Sequence, residues 1–350
     1  MQPNEQSKPK KNTARPLGRL GAFLLVTLAL LLITLLGVIW VLEKGPSPTI
    51  TEKFCRSMRE TSAIRWIPNI FLSQEEVDAF KSESTENDET ETVNTSLIRI
   101  APAAESGTET ADDGVELIAI THGTAKGKLL IVRDPSRVIL GVSSEEFNAK
   151  TPGLQLTELV AKYGGVAGTN AGGFNDENGR GNGGVPQGLV ISGGALLHTA
   201  REDERYNVVG FDADHILHVG TMTADEALAQ GLTDAVSFRT HDGLASSLII
   251  NGEMQSKNLG GGVNPRTAIG QCADGSVLLL VLDGRSINTL GATMQDVADI
   301  MLEYGAVNAG NLDGGSSSVM VYDGEIINNC ASVTGPRNIP TAFIVLPEGD

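Results

Sequence analysis

The chain has 350 residues, 41% of them hydrophobic and 20% charged, enough material for one large folded domain or two small ones. Only 4% of residues are aromatic against 41 glycines, so the core must rest on Val, Ile, Leu and Ala joined by many tight turns. A net charge of −17 argues against a nucleic-acid binder and against docking on anionic lipid, both of which need basic patches.

Residues 1–20 read as a basic tail, with Lys8, Lys10, Lys11, Arg15 and Arg19 against the single Glu5. The 22 uncharged residues from Gly21 to Leu42, at about 1.5 Å per residue, just exceed the ~30 Å thickness of bilayer hydrocarbon. This predicts a transmembrane helix over 21–42, with Trp40 near its outer edge. The preceding positive charges place the N-terminus in the cytoplasm and the remainder outside, a single pass through the plasma membrane. No small-x-small cleavage site follows in Val41-Leu42-Glu43-Lys44, which favours an uncleaved anchor over a signal peptide. Residues 43–350 keep 21 of the 26 basic and 42 of the 43 acidic side chains, a net charge of about −21.

Residues 43–113 read as a stalk. Ser73 with Glu76 caps a short helix to about Phe80, and the acidic, hydroxyl-rich stretches 82–96 and 105–113 bury too little apolar surface to offset their ordering entropy. The folded domain is expected over 114–350. Short strands are predicted at Val115–Thr121, Gly127–Arg133, Ser136–Val142 and Ser276–Asp283. Hairpin turns are predicted at Gly193-Gly194, Asn251-Gly252 and Asp323-Gly324. Helices are predicted at Leu154–Tyr163, at Thr223–Gln230 (capped by Thr223 and Glu226) and at Thr293–Tyr304 (capped by Thr293 and Asp296). Many hairpins and few helices give an α+β class with mixed, mainly antiparallel sheets and a few packed helices behind the membrane helix. Tyr163, Gly164, Val166, Asn170 and Gly173 recur as Tyr304, Gly305, Val307, Asn311 and Gly314 at a constant offset of 141, which suggests an internal duplication.

Four polar clusters stand out beside glycines or at strand ends. In Asn311-Leu312-Asp313-Gly314-Gly315-Ser316, a lone carboxylate is held at a turn whose glycines let backbone amides approach a ligand. Asn170, before Gly172 and Gly173, either orients a sugar or phosphate oxygen or simply tolerates the turn. Arg266 opens an apolar strand and is either a rim charge or a buried anion clamp. Asp283 ends the run Val277–Leu282 as a turn former or as a second carboxylate.

Other chemistries do not assemble. There is no P-loop, no His-Glu-x-x-His, no paired Cys-x-x-Cys and no Gly-x-Ser-x-Gly, so neither a cofactor nor a metal is implied. His241-Asp242 with Ser316–Ser318 makes no convincing triad, and His122, His198, His215 and His218 are dispersed. Asp176, Glu177 and Asn178 lack the spacing of a calcium loop. Cys272 and Cys330 either pair or remain free, and with Cys55 they form no disulfide scaffold.

The order of these motifs resembles the phosphodiester glycosidase family, to which the lysosomal enzyme that uncovers sugar phosphates belongs. It runs through Asn170-Ala171-Gly172-Gly173-Phe174, Asn251-Gly252, Arg266-Thr267-Ala268-Ile269-Gly270, Val281-Leu282-Asp283-Gly284-Arg285 and Asn311-Leu312-Asp313-Gly314-Gly315-Ser316-Ser317. The likeness covers roughly Val115 to Leu346, including Arg337. It departs at Ser316, where family members usually carry a third glycine, and so gives a reaction class more securely than a substrate.

The resemblance implies a membrane-anchored, extracytoplasmic hydrolase. It would cleave the sugar–phosphate linkage of a glycosyl phosphodiester in cell-envelope glycan or exopolysaccharide. A phosphate ester leaves as a stable anion, so one carboxylate, an arginine and turn amides suffice where ordinary glycosidases need two carboxylates. In that scheme Asp313 is general base or oxocarbenium stabiliser and Arg266 the phosphate clamp, while Asp283 is a second carboxylate or an orienter and exchanges roles with Asp313. Asn170, Gly173, Asn311, Gly314, Gly315 and Ser316 line the substrate site. A non-catalytic glycan-binding or assembly module at the outer membrane face is the alternative. A structural ectodomain without a small-ligand site is a third reading.

Overall fold

The computed structural model describes residues 15–61, 64–80, 92–100, 114–176, 181–201, 203–238, 247–255, 259, 261–286, 289–332 and 335–349. The chain divides into two compact units, residues 1–51 and 52–350.

In the first unit, helix α1 (Arg15–Lys44) contains a 25-residue stretch, Leu20–Lys44, long and apolar enough to cross a membrane. Its apolar side chains, Phe23, Leu24, Leu25 and Ile33 among them, are exposed. Thr27 and Thr34 donate their hydroxyls to carbonyls four residues back, so neither needs an outside partner. Helix α2 (Pro48–Arg59) follows across the boundary, and α3 (Gln74–Asp78) starts at the predicted capping box of Ser73 and Glu76. Cys55, Leu72 and Val77 form a small core of their own, and the guanidinium of Arg59 pairs with Asp78 at 3.0 Å.

The rest of the second unit runs β1 (Val115–His122), β2 (Ala125–Val132), β3 (Val138–Val142), α4 (Leu156–Lys162), β4 (Ala167–Asn170), β5 (Leu189–Ser192) and β6 (Ala195–Thr199). It continues with β7 (Tyr206–Asp212), β8 (Leu217–Met222), α5 (Ala224–Ala229), β9 (Leu232–Ser237), β10 (Ser247–Ile250), β11 (Glu253–Met254), β12 (Arg266–Cys272) and β13 (Val277–Leu282). The last elements are α6 (Met294–Glu303), β14 (Ala306–Asn311), β15 (Met320–Tyr322), β16 (Glu325–Ile326) and β17 (Thr341–Val345).

Three sheets result, in the orders β1-β2-β13-β12-β14-β10-β11, β16-β15-β4-β17-β3 and β6-β5-β9-β7-β8. Every strand pair among the described residues is antiparallel, within the expected α+β class. The predicted strands and hairpins appear with shifts of a residue or two. Asn251 and Asp323 take positive φ of 55° and 50° before Gly252 and Gly324, as two-residue hairpin turns require.

Inward faces of all three sheets meet in one aliphatic core that includes Leu130, Val219, Ile269, Leu279 and Phe343. Phe211 packs edge-on against Phe343 at 6.1 Å, and burying one such side chain stabilises the fold by about 1.5–3 kcal/mol. Each outer face is covered by a capped helix: α6 on the first sheet, α4 on the second, α5 on the third.

The suspected repeat has a structural counterpart. Tyr163 and Tyr304 end α4 and α6, and Gly164 and Gly305 turn the chain at φ of +65° and +85°. β4 and β14 then carry Asn170 and Asn311 to their ends. These two strand ends, in different sheets, meet where the Asn170 side chain reaches the Asp313 carbonyl.

Candidate functional site

Beyond Asn311 the extended chain continues for two residues, with the Leu312 amide donating to the Thr267 carbonyl at 2.8 Å and the Asp313 amide to Ala171 at 3.0 Å. Asp313 therefore stands where the end of β14 meets the end of β4. Asn170, 1% exposed, fixes the junction. Its amide donates to the Asp313 carbonyl at 2.6 Å, while its Oδ1 accepts from the Thr267 hydroxyl at 2.9 Å and the Val319 amide at 3.1 Å. All of these partners belong to the protein, so Asn170 positions the Asp313 turn.

Gly315 then reverses the chain at φ +62°, and its amide donates to the Pro265 carbonyl at 3.0 Å. A side chain on Gly314 would meet that same carbonyl at 2.9 Å, which is why the turn carries glycine there. The turn is a short 3-10 segment, Gly315–Ser317, that leaves Ser316 partly exposed and Ser317 buried.

The Asp313 carboxyl is half-buried and faces polar company. The Ser317 hydroxyl and the Gly314 amide donate to it, Arg337 attracts it and Asp176 repels it. Burial dominates these effects and pushes its pKa up to about 7. Arg337 holds Asp176 through both guanidinium ends, with Nη2 to Oδ1 at 2.8 Å, donates to the Gly181 carbonyl at 2.9 Å, and lies 4.8 Å above the Phe174 ring. Asp176 and Asp313 both raise the Arg337 pKa, so its charge is permanent. The result is a carboxyl able to gain or lose a proton near neutrality, beside a fixed cation.

The remaining predicted residues fall around this centre in different ways. Gly173 is buried, passing a hydrogen bond from its amide to Ser237 and accepting one from Gln187. Asn311 is 1% exposed, and its Oδ1 meets no donor among the described residues. Asp283, 7% exposed, accepts from the Asn329 amide at 2.9 Å and its side chain at 3.2 Å, which ties the end of β13 to the loop next to Cys330.

Arg266 starts β12 beside Gly314, its Cα 4.0 Å from where a Gly314 Cβ would stand. Its guanidinium is 4% exposed and donates to the carbonyls of Ala292 at 3.2 Å and Gly262 at 2.6 Å, and it pairs with Glu60 at 2.7 Å. The backbones of Arg266 and Asp313 are thus adjacent while their side chains serve separate charge clusters.

Asp176 and Arg337 were not assigned a role from sequence. Their signal is faint: an acidic residue two positions after Phe174, and an arginine shortly before the last strand. Glu177, Asn178, His241 and Asp242 lie outside the described residues. His218 pairs with Asp212 at 2.8 Å in the β7–β8 hairpin, and Cys272 and Cys330 are free thiols. No group of three or more metal-ligating side chains occurs among the described residues.

A family model described as phosphodiester glycosidase matches residues 163–346. The fold is similar to that of the zebrafish N-acetylglucosamine-1-phosphodiester alpha-N-acetylglucosaminidase catalytic domain auto-inhibited by its pro-peptide, with a TM-score of 0.53 and 20% identity. That match covers 74% of this chain and 88% of the other, and at such identity it establishes the fold alone. The SPbeta prophage-derived uncharacterized protein YomE of Bacillus subtilis (strain 168) is 38% identical over 87 residues, a stretch amounting to 25% of this chain and 14% of that protein.

Proposed function

The chain belongs to the phosphodiester glycosidase family, and on that premise we propose that it hydrolyses the sugar–phosphate linkage of a glycosyl phosphodiester at the Asp313 centre. The observation that carries this reading is the Asp313 carboxyl, raised to about 7 and faced by Arg337. A carboxyl that titrates near the working pH is suited to general acid–base chemistry. As carboxylate it takes a proton from the attacking water or stabilises positive charge developing on the sugar ring. The departing phosphate is a stable anion and requires no general acid. Arg337, already oriented by Asp176 and Phe174, supports the negative charge of the phosphoryl group, while the Gly314 and Gly315 amides, spent on the Asp313 carboxyl and the Pro265 carbonyl, shape the turn.

Asn170 and Asp283 act as positioning residues in this scheme, the first through the Asp313 backbone and the second through Asn329. The substrate class follows that of the zebrafish enzyme, an N-acetylglucosamine-1-phosphodiester, transferred here to a cell-envelope or exopolysaccharide glycan. Membrane anchoring by α1 with the second unit outside the cell accords with the basic tail and with the acidic remainder of the chain. The test is release of free sugar from a sugar-1-phosphate diester by the full chain. Turnover in the wild type that is lost in Asp313→Asn supports the reading. Binding of the diester without turnover would instead favour a non-catalytic glycan-binding module.

A further inference from the structure

Residues 64–72 form a knot of turns that leaves its apolar side in water. The backbone is satisfied from within: the Ile67 amide donates to the Ile64 carbonyl at 3.0 Å, Asn69 to Trp66 at 3.1 Å and Leu72 to Pro68 at 3.3 Å, around the 3-10 turn Ile67–Ile70. Pro68 and Leu72 are buried, Leu72 in the small core it shares with Cys55 and Val77. The other side chains stay outside. Trp66 is 61% exposed, more than any other large apolar side chain described in the second unit, and Phe71 is 37% exposed. Ile64, Ile67 and Ile70 are partly exposed beside them.

Three features identify a lipid surface as the cover for this patch. The first is its tether. Trp66 lies 22 residues beyond Lys44, where α1 ends, and 12 of the intervening residues are coiled in α2, so it stays within about 50 Å of that exit. Contact with the bilayer is then intramolecular, and a few side chains suffice where a free protein would need many. The second is charge. The chain as a whole is acidic, yet residues 45–72 carry Lys53, Arg56, Arg59 and Arg65 against only Glu52 and Glu60, a balance suited to anionic headgroups. The third is the closed backbone, which can be lowered among headgroups without stranding an amide. Trp suits that depth because its ring is apolar and its N–H still finds a polar partner.

We propose that residues 64–71 dock on the lipid–water interface of the membrane that α1 crosses, with Trp66 and Phe71 inserted at headgroup depth and Arg65 against lipid phosphate. Docking rests on α1 spanning the bilayer as read above. The chain then meets the membrane at two points, and residues 64–71 hold the start of the second unit at the surface.

The two tryptophans of the chain, Trp40 and Trp66, provide the test. Trp40→Phe leaves Trp66 as the sole indole, and Trp66→Phe leaves Trp40 to report whether α1 is in the bilayer. Each full-length variant is reconstituted into vesicles of phosphatidylcholine and phosphatidylglycerol, with and without phosphatidylcholine spin-labelled near the headgroup. Spin-labelled lipid should quench Trp66 by about half and aqueous acrylamide should reach it poorly. Adding Phe71→Ser should reduce the lipid quenching, and adding Arg65→Glu should reduce it in the anionic vesicles. Trp66 open to acrylamide and unquenched by lipid, while Trp40 is quenched, overturns docking and leaves the anchor standing. Neither tryptophan quenched by lipid overturns both. Trp66 shielded from lipid and acrylamide alike would assign the patch to a protein contact, such as a second copy of this chain, and also overturns the proposal. None of these readings depends on turnover at Asp313.

Discussion

The side-chain amide of Asn170 donates to the main-chain carbonyl of Asp313 across 2.6 Å, so the last residue of one strand sets the backbone from which the titrating carboxyl projects. The same side chain ties in Thr267 and Val319, joining two sheets at one buried point. Asn170→Ala would leave three buried groups without a partner, at a cost of about 2–4 kcal/mol. Denaturant unfolding should show that loss, and kcat for sugar release should fall with little change in KM. A large rise in KM at unchanged stability would show that Asn170 contacts substrate instead.

The raised pKa of Asp313 has a consequence for stability. Its folded value of about 7 lies above the ordinary value of 3.8, so the folded state holds the proton more tightly and the associated stability is complete only below pH ~4. That contribution, about 2 kcal/mol after allowance for partial solvent screening, is lost as pH rises from about 4 to 7. Asp313→Asn should flatten this slope and raise the melting temperature relative to wild type at pH 8. Parallel stability curves for the two proteins between pH 4 and 8 would contradict the assignment.

Arg337 lowers the Asp313 pKa and Asp176 raises it. Arg337→Ala should therefore move the acidic limb of the pH–rate profile to higher pH and reduce kcat by at least tenfold. A limb that stays in place while only KM changes would make Arg337 a binding residue with no electrostatic influence on Asp313.

Asp283 is the competing candidate for the catalytic carboxylate. Its two hydrogen bonds to Asn329 indicate a positioning role, and Asp283→Ala should cost about 1–2 kcal/mol of stability and lower kcat modestly. The pH–rate limb near 7 should persist in this variant. Its disappearance would transfer the titrating role from Asp313 to Asp283.

Much of the fold was legible because its signals are local. Thr293 with Asp296 and Thr223 with Glu226 form the capping boxes that their spacing announced, and Asn251-Gly252 and Asp323-Gly324 make the expected hairpin turns. Asp313 was conspicuous as a lone carboxylate between an apolar strand and two glycines. Its surroundings were not, because Arg337 and Asp176 lie 161 positions apart and meet only through the packing of sheets. Glu60 and Arg266 are as remote, so the sequence showed an arginine entering an apolar strand without showing the carboxylate it faces. Nor did local pattern reveal that Asn170 ties Asp313, Thr267 and Val319 together, since these partners lie far along the chain.

The most direct test of the account is the pH dependence of free-sugar release from an N-acetylglucosamine-1-phosphodiester by the full chain, with Asp313→Asn as the control. The wild type should show kcat rising through a limb near pH 7, and the variant should lose at least 10²-fold in rate together with that limb. Sustained turnover by Asp313→Asn, with the limb intact, would contradict it.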